Sequence, residues 1–256
     1  MAEVTLIILQ GYILMKKHHK TMVITMTVAV FVSAIYFVIL YHNIYKIPDT
    51  LEKEEILPVF SVDQNITLSF NNNIWDNIKP VSVRLSPQSA RTAFGKYERK
   101  INVRGIYNKE DIAFLIEYED ETENRIGLKT PDYCAILFVP ANSPASSQMM
   151  GFESTANIWQ WSAERDEKKI AVIREFVAHG PTTQKPMENQ NVLGQGIYSK
   201  GRWKVLFIRK RVKQQKDEFG FMPAKKFKIA FAVWDGEKLE TFSRKSISIL
   251  RALTLE

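Results

Sequence analysis

The stretch KINVRGIYNKEDIAFLIEY, residues 100–118, decides the fold class of this chain. Residues 100–107 and 111–118 have the alternating or continuous apolar pattern of strands, and the polar triplet at 108–110 separates them. Two such runs joined by a short turn predict an antiparallel β-hairpin. We therefore expect a chain built mainly from strands that surround this hairpin.

Similar strand patterns continue on both sides of the hairpin. They occur at residues 64–70, 81–85, 133–139, 202–209, 226–234 and 245–250. Turn residues separate these runs at intervals of roughly ten to twenty residues, which is typical of an antiparallel β-sandwich. The sequence predicts a mainly β fold of this kind with few short helices.

Only residues 162–178 carry a helical pattern within this region. Ser162 is a candidate N-cap for a charged first turn, and apolar residues then recur on one face of the predicted helix. Residues 170–178 fit a strand equally well, so both interpretations remain open.

A long uncharged run, TMVITMTVAVFVSAIYFVILY at residues 21–41, precedes the β region. As a helix it would span ~31 Å, which matches the ~30 Å hydrocarbon core of a bilayer. The basic stretch KKHHK at 16–20 predicts that its amino-terminal side faces the cytoplasm, so the β domain is expected on the outer face of the cell membrane.

The sequence thus predicts four consecutive parts: a cytoplasmic segment (1–20), a single transmembrane anchor (21–41), a linker (42–56) and a β-sandwich domain (57–256). Two alternatives stay open. The apolar run could belong to a cleaved signal peptide, and the natural start could be Met15 rather than Met1.

The composition excludes several classes of protein. A chain that is 45% hydrophobic and 25% charged is typical of folded globular proteins rather than disordered ones. The single cysteine, Cys134, excludes an intrachain disulfide and an iron–sulfur cluster built from this chain alone. The net charge of +7 is not concentrated and no nucleic-acid-binding module accompanies it, so we expect no nucleic-acid partner.

Catalytic motifs are missing from the sequence as well. His179 is the only histidine beyond the membrane region, and no serine lies in a GxSxG motif. The glycines of Gly194-Gln195-Gly196 open no βαβ unit. The acidic run at 117–123 lacks the glycine and spacing of an EF-hand and is expected to be a solvated strand end. We therefore expect a protein that is not itself an enzyme.

The first candidate metal ligand is a methionine in the long loop ANSPASSQMMGFEST, residues 141–155. Long loops on a sandwich are common places for function, and a thioether is a soft axial ligand for haem iron. Met149 and Met150 are the candidates. The ordinary alternative is a methionine that fills a gap in the core beneath the loop.

The second candidate is Lys245. If residues 245–250 form a strand, Lys245 shares a face with Ile247 and Ile249, so it would be buried if they are. A buried, unpaired amine tends to lose its proton, and the neutral amine can then bind a metal. The ordinary alternative is a lysine whose stem reaches solvent at the end of the strand.

Four patches, in a fixed order, carry a resemblance to a known family. They are IAFLIEYEDET (112–122), PDYCAILFVP (131–140) followed by NIWQW (157–161), GRWKVLFIRK (201–210), and KIAFAVWDG (228–236) followed by RKSIS (244–248). The chain resembles the haem b-binding gamma subunits of ethylbenzene dehydrogenase-type molybdoenzymes, whose relatives serve dimethylsulfide dehydrogenase and nitrite oxidoreductase. One departure is Tyr118, where the family's strand end usually has tryptophan.

The resemblance implies one haem b held between a methionine and a lysine. The methionine position falls on Met150, with Met149 as the fallback, and the lysine position falls on Lys245. Trp159, Trp161 and Phe152 are candidates for the apolar walls.

The resemblance further implies a non-catalytic, membrane-anchored subunit that relays electrons to or from a molybdopterin oxidoreductase. Its expected partners are the molybdopterin catalytic subunit, an iron–sulfur subunit, and a cytochrome or another redox carrier. The alternative left open is a haem-free, membrane-anchored β-sandwich that binds a carbohydrate or a protein, with exposed Trp159 and Trp161 stacking on a sugar ring.

Overall fold

The computed structural model describes residues 30–37, 56–70, 73–88, 99–127, 129–142, 155–180, 183–222 and 226–256. The chain divides into two compact units, Met1–Glu52 and Lys53–Glu256. In the first unit residues 30–37 are helical, and the rest of the predicted anchor at 21–41 lies outside the described residues. None of the helices in the described ranges combines the length and apolar character needed to cross a bilayer.

The described part of the second unit is mainly β, as predicted. It contains one short α-helix, Ala163–Lys168, one 3-10 helix, Asn73–Trp75, and thirteen strands. The strands are β1 (Ile56–Ser61), β2 (Val81–Pro87), β3 (Arg99–Tyr107), β4 (Asp111–Glu119), β5 (Tyr133–Pro140), β6 (Ala156–Ser162), β7 (Ile173–Ala178), β8 (Lys185–Pro186), β9 (Leu193–Tyr198), β10 (Arg202–Lys210), β11 (Phe227–Trp234), β12 (Ser246–Ile247) and β13 (Arg251–Leu255).

The predicted hairpin is confirmed. Strands β3 and β4 pair antiparallel from Ile101 opposite Tyr118 to Tyr107 opposite Ile112. The side chain of Asn108 stabilises the turn, because its Oδ1 accepts hydrogen bonds from the backbone N–H groups of Glu110 at 2.9 Å and Asp111 at 2.7 Å. Such a local side-chain bond replaces the ladder bonds that the chain gives up when it reverses direction.

The sheet folds over on itself. Its strand order is β8-β7-β6-β5-β11-β12-β2-β3-β4-β10-β9, with β1 and β13 off this path. Aromatic rings join the two halves across the interior: the Phe114 and Phe138 centroids lie 5.7 Å apart, and those of Trp161 and Trp203 lie 4.8 Å apart. The two halves therefore pack face to face like the layers of a sandwich.

The sheet is not purely antiparallel, which corrects the prediction. Strand β1 pairs in parallel with both β13 and β3. Strand β1 begins at Ile56, one residue before the start of the β domain predicted at 57. Residues 64–70, predicted as a strand, form none; instead Ile66 is buried in a cluster with residues of β3, β4 and β10.

The region with the open helix-or-strand interpretation contains both. The helix Ala163–Lys168 begins after Ser162, whose side chain accepts a hydrogen bond from the N–H of Arg165, as expected for an N-cap. The chain leaves the helix through Lys169 in the left-handed conformation. It then continues as β7.

Because side chains alternate across each strand, strands β5, β6, β7 and β11 carry two different apolar faces. One face belongs to the interior between the two halves. We call the opposite one the outer apolar face; its buried residues are Ala135, Leu137, Val139, Ala156, Ile158, Phe176, Ala178, Ala230, Ala232 and Trp234. Five of these ten are alanines, whose short side chains protrude little from the sheet.

Candidate functional site

Lys245 lies at the edge of the outer apolar face. It directly precedes β12, a two-residue strand that pairs with β11 on one side and β2 on the other. The backbone carbonyl of Lys245 accepts a hydrogen bond from the N–H of Gln88 at 2.8 Å. These contacts fix the backbone from which the amine extends.

The Lys245 side chain is buried without a charged partner. The residue is 8% exposed, and Nζ lies 4.8 Å from the centroid of the Trp234 ring. Within the described part of the chain no carboxylate pairs with this amine, and burial alone lowers its pKa to about 8. Desolvation disfavours the charged form, so about one amine in ten is neutral at pH 7 and carries a free lone pair.

The surface beside this amine is flat and apolar. Ala232 of β11 lies opposite Ala135 of β5 on one side and opposite Ile247 of β12 on the other. Ile247 packs against the outer apolar face, to which Trp234 also belongs. The site therefore combines a nitrogen donor with an apolar sheet surface.

The predicted burial of Lys245 is confirmed, but the strand expected at 245–250 is shortened to Ser246–Ile247. The most buried residues that follow are Ser246 and Ser248, whereas Ile247 and Ile249 are partly exposed. Ser248 explains why the strand ends, because its Oγ accepts a hydrogen bond from the N–H of Phe231 at 2.9 Å. A side chain thus takes over one bond of the ladder.

The methionine candidates, Met149 and Met150, lie outside the described residues, as does Phe152. They belong to the connection between β5 and β6, the two strands that pair next to β11. Both of these strands contribute residues to the outer apolar face.

The expectation for the two tryptophans of NIWQW is wrong. Trp159 and Trp161 are fully buried in the interior, on the side of β6 opposite to the outer apolar face. Their indole N–H groups donate to Asn157 and Asp166, both at 3.0 Å. Neither ring is available to stack on a sugar or to contact a ligand beside Lys245.

The structure also explains two features to which the sequence assigned no function, His179 and the segment Gly194-Gln195-Gly196. His179 is exposed, and its ring nitrogen Nδ1 lies 3.2 Å from Oγ1 of Thr155. A Cβ added to Gly196 would come within 2.3 Å of the Trp161 ring, so this glycine allows β9 to approach the interior.

Sequence reasoning missed a cluster of buried aspartates. Asp120, Asp132 and Asp235 come from three of the four patches, and one carboxylate oxygen from each lies within 4.8 Å of those from the other two. Asp120 belongs to the acidic run that was expected to be solvated; it is 5% exposed, so that expectation is wrong for this residue. Burial and the neighbouring Asp132 raise the pKa of Asp120 to about 7.

Hydrogen bonds organise this cluster. Asp132 accepts from the backbone N–H groups of Asn124 and Gly236 at 2.9 and 2.8 Å and from the indole of Trp203 at 3.0 Å. Asp235 pairs with Arg99 at 2.7 Å. The partners lie up to 136 positions away along the chain, which is why no local pattern revealed the cluster.

The fold and the site define a class: a mainly β binding domain that offers an unpaired nitrogen donor beside an apolar face. The family model described as ethylbenzene dehydrogenase matches residues 72–191 and 175–246, which is more than half of the chain. The chain belongs to the ethylbenzene dehydrogenase family, as the resemblance in the four patches predicted.

A protein of Haloferax mediterranei, named provisionally as a respiratory nitrate reductase heme subunit, is 25% identical over 181 residues. The alignment covers 68% of this chain and 63% of that protein, so the chain spans less than two thirds of the relative's length.

Solved structures with a similar backbone include a family 9 carbohydrate-binding module of Caldicellulosiruptor kristjanssonii in complex with glucose. It has 11% sequence identity and a TM-score of 0.46, over 79% of this chain and 96% of that one. A protein of Bacteroides uniformis, described provisionally as carbohydrate-binding, has 9% identity and a TM-score of 0.48, over 80% of this chain and all of that one.

Proposed function

We propose that this chain is a non-catalytic electron-transfer subunit that binds one haem b between Lys245 and Met150. Membership of the ethylbenzene dehydrogenase family and the heme-subunit name of the Haloferax relative support haem as the ligand. The observation that carries the proposal is the buried amine of Lys245, which has no charged partner among the described residues.

The amine fits the role of an axial ligand because iron binds the neutral form. An ordinary exposed lysine keeps its proton at neutral pH and has no lone pair to donate. Burial of Lys245 removes much of this competition before any metal binds. Trp234, whose ring lies 4.8 Å from Nζ, limits where the amine can lie.

The outer apolar face fits the rest of the group. Five of its ten buried residues are alanines with short side chains, and larger side chains such as Leu137, Ile158 and Phe176 would add apolar contact to a macrocycle. Burial of this face excludes water from the vicinity of the amine, which strengthens metal–ligand contacts and keeps the site dry.

Met150 is proposed from the family motif and from its place in the chain. It lies six positions before Ala156, the first residue of β6, so position 150 can lie up to ~20 Å from that point. A strand of six to seven residues such as β6 is also ~20 Å long. The connection is therefore long enough for position 150 to lie beside any part of β6.

When bound, haem would supply one-electron redox chemistry. The protein residues would then have two tasks: Lys245 and Met150 would hold the group, and the outer apolar face would shield it. No side chain in this arrangement is needed as an acid or a base, in keeping with a non-catalytic subunit.

We also propose the partners. A molybdopterin catalytic subunit and an iron–sulfur subunit, or a cytochrome or similar carrier, would exchange electrons with this chain. The proposed anchor at 21–41 would tether it to the outer face of the membrane. The described part of that segment, residues 30–37, is helical, and its large apolar side chains are 47–72% exposed, as a lipid-facing helix requires.

The test is the visible spectrum of the full chain loaded with haem, oxidised and then reduced. We expect a low-spin b-type spectrum that Lys245→Ala and Met150→Ala abolish or shift. Lys204→Ala and Met222→Ala are matched controls, because Lys204 is half-exposed and paired with Glu117, and Met222 is exposed. A chain that stays colourless, or spectra that both ligand variants leave unchanged, would overturn the proposal.

A further inference from the structure

We propose that Asp120, Asp132 and Asp235 form a binding site for a divalent cation of the Ca²⁺ class, separate from the haem ligands. The three residues, called the aspartate cluster below, join the end of β4, the start of β5 and the end of β11. This proposal does not depend on haem binding.

The geometry suits one ion. The ligand oxygens of the three carboxylates all lie within 4.8 Å of one another. Ca²⁺ binds oxygen at ~2.3–2.6 Å, so two ligands on opposite sides of the ion are about 4.6–5.2 Å apart. The carboxylates therefore need little movement to share a single Ca²⁺, and water could complete its coordination.

The charges around the cluster leave an uncompensated excess. A fourth buried carboxylate, Glu240, accepts a hydrogen bond from the N–H of Asp235 at 2.9 Å. Among the described residues, the ion pairs of this group are those of Asp235 with Arg99, which is buried, and with Lys238, whose side chain is 47% exposed. Four clustered carboxylates thus share two paired cations, and a divalent cation would relieve the repulsion among the acids.

Two buried oxygens of this region lack a partner among the described residues. They are Oδ2 of Asp120 and the hydroxyl of Tyr118, in residues that are 5% and 2% exposed. Burial raises the pKa of the Tyr118 hydroxyl, and the charges of Asp132 and Asp120 add to this rise. A buried polar group without a hydrogen-bond partner is unfavourable, and a bound cation removes this cost for the carboxylate.

A proton on Asp120 is the competing way to relieve the repulsion. The two explanations differ in one measurable respect, since only the cation site responds to added Ca²⁺.

The experiment uses the full haem-free chain after treatment with a chelator. Thermal unfolding and calorimetric titration are followed with Ca²⁺, with Mg²⁺ and Na⁺ for comparison. We expect Ca²⁺ to bind and to stabilise the fold, since ligand at 100 times its Kd raises the ratio of folded to unfolded chain about 100-fold. Asp120→Asn should weaken Ca²⁺ binding at least tenfold, whereas Asp76→Asn, at an exposed turn, should leave it unchanged.

Two results would overturn the proposal: no Ca²⁺ response in the wild-type chain, or an equal response in wild type and Asp120→Asn. The wild-type titration decides even if the variant folds poorly. Lys245→Ala distinguishes Ca²⁺ binding from haem binding, because this variant should lose the haem spectrum and keep the full Ca²⁺ response.

Discussion

A negative charge introduced next to Lys245 should weaken haem ligation by returning the proton to the amine. Ile247 is the site for this change, because it lies two residues after Lys245 and packs against the outer apolar face, to which Trp234 beside the Lys245 amine also belongs. Ile247→Asp adds a carboxylate there. Ile247→Asn, of nearly the same shape, controls for the lost apolar contact.

The magnitude follows from the pKa of Lys245. Burial lowers it from 10.5 to about 8. At pH 7 about one amine in ten is then neutral, against about one in 3,000 for an ordinary lysine. The fraction of neutral amine available to iron is thus ~300 times larger, which corresponds to roughly 3 kcal/mol. A carboxylate within ~4–6 Å raises the pKa of a neighbouring cation by about one unit or more, so Ile247→Asp should forfeit about tenfold of this gain.

The assay is the low-spin haem spectrum of the full chain as a function of pH. Ligation is lost as the pH falls, because the proton competes with iron for the amine. We expect the pH of half-loss to be about one unit higher in Ile247→Asp than in Ile247→Asn. If the two variants lose the spectrum at the same pH, the amine of Lys245 is not the competing group and the reasoning fails.

Three further changes test other parts of the structure. Lys245→Met should stabilise the haem-free chain by about 1–3 kcal/mol at pH 7 in denaturant unfolding. Because the pKa of Lys245 is lower in the folded state, the wild type regains stability between pH 8 and 10.5, and the advantage of the variant should shrink there. Asp120 has a raised folded-state pKa, so in chelator the wild-type chain should lose stability as the pH rises from about 4 to 7, and Asp120→Asn should show less of this loss in pH-dependent melting curves. Gly196→Ala should destabilise the chain by about 1–3 kcal/mol in the same melts, because the new Cβ meets the ring of Trp161; an unchanged melting temperature would show that β9 shifts freely.

Local patterns predicted the strands whose signals lie within a few residues. The hairpin of β3 and β4 was predictable because its turn is stabilised by Asn108 within the turn itself. The parallel pairing of β1 with β13 was not, since it joins residues 56–59 to 252–255 and depends on the closure of the whole sheet. The short strand β12 was mispredicted because Ser248 bonds to the backbone of β11 in place of a further ladder residue.

The candidate site was predictable only in part, for a similar reason. Lys245 could be singled out because a charged residue that alternates with isoleucines is a local signal. The aspartate cluster gave no such signal, because each of Asp120, Asp132 and Asp235 looks like an ordinary turn residue in its own segment. Only the fold brings them within 4.8 Å of one another.

Burial of a charged group alone does not mark a functional site in this molecule. Arg209 has no exposed side-chain surface, yet Glu175 and Glu218 pair with it at 2.9 and 3.3 Å, so its charge is compensated within the fold. Lys245 is nearly as buried and has no carboxylate partner in the described chain, only the face of Trp234. The fold compensates the charge of Arg209 with two acids but provides none for Lys245 within the described chain. The buried amine of Lys245 therefore destabilises the protein. Departures of this kind are expected where function requires them, and the proposed binding of iron would give the amine of Lys245 such a function.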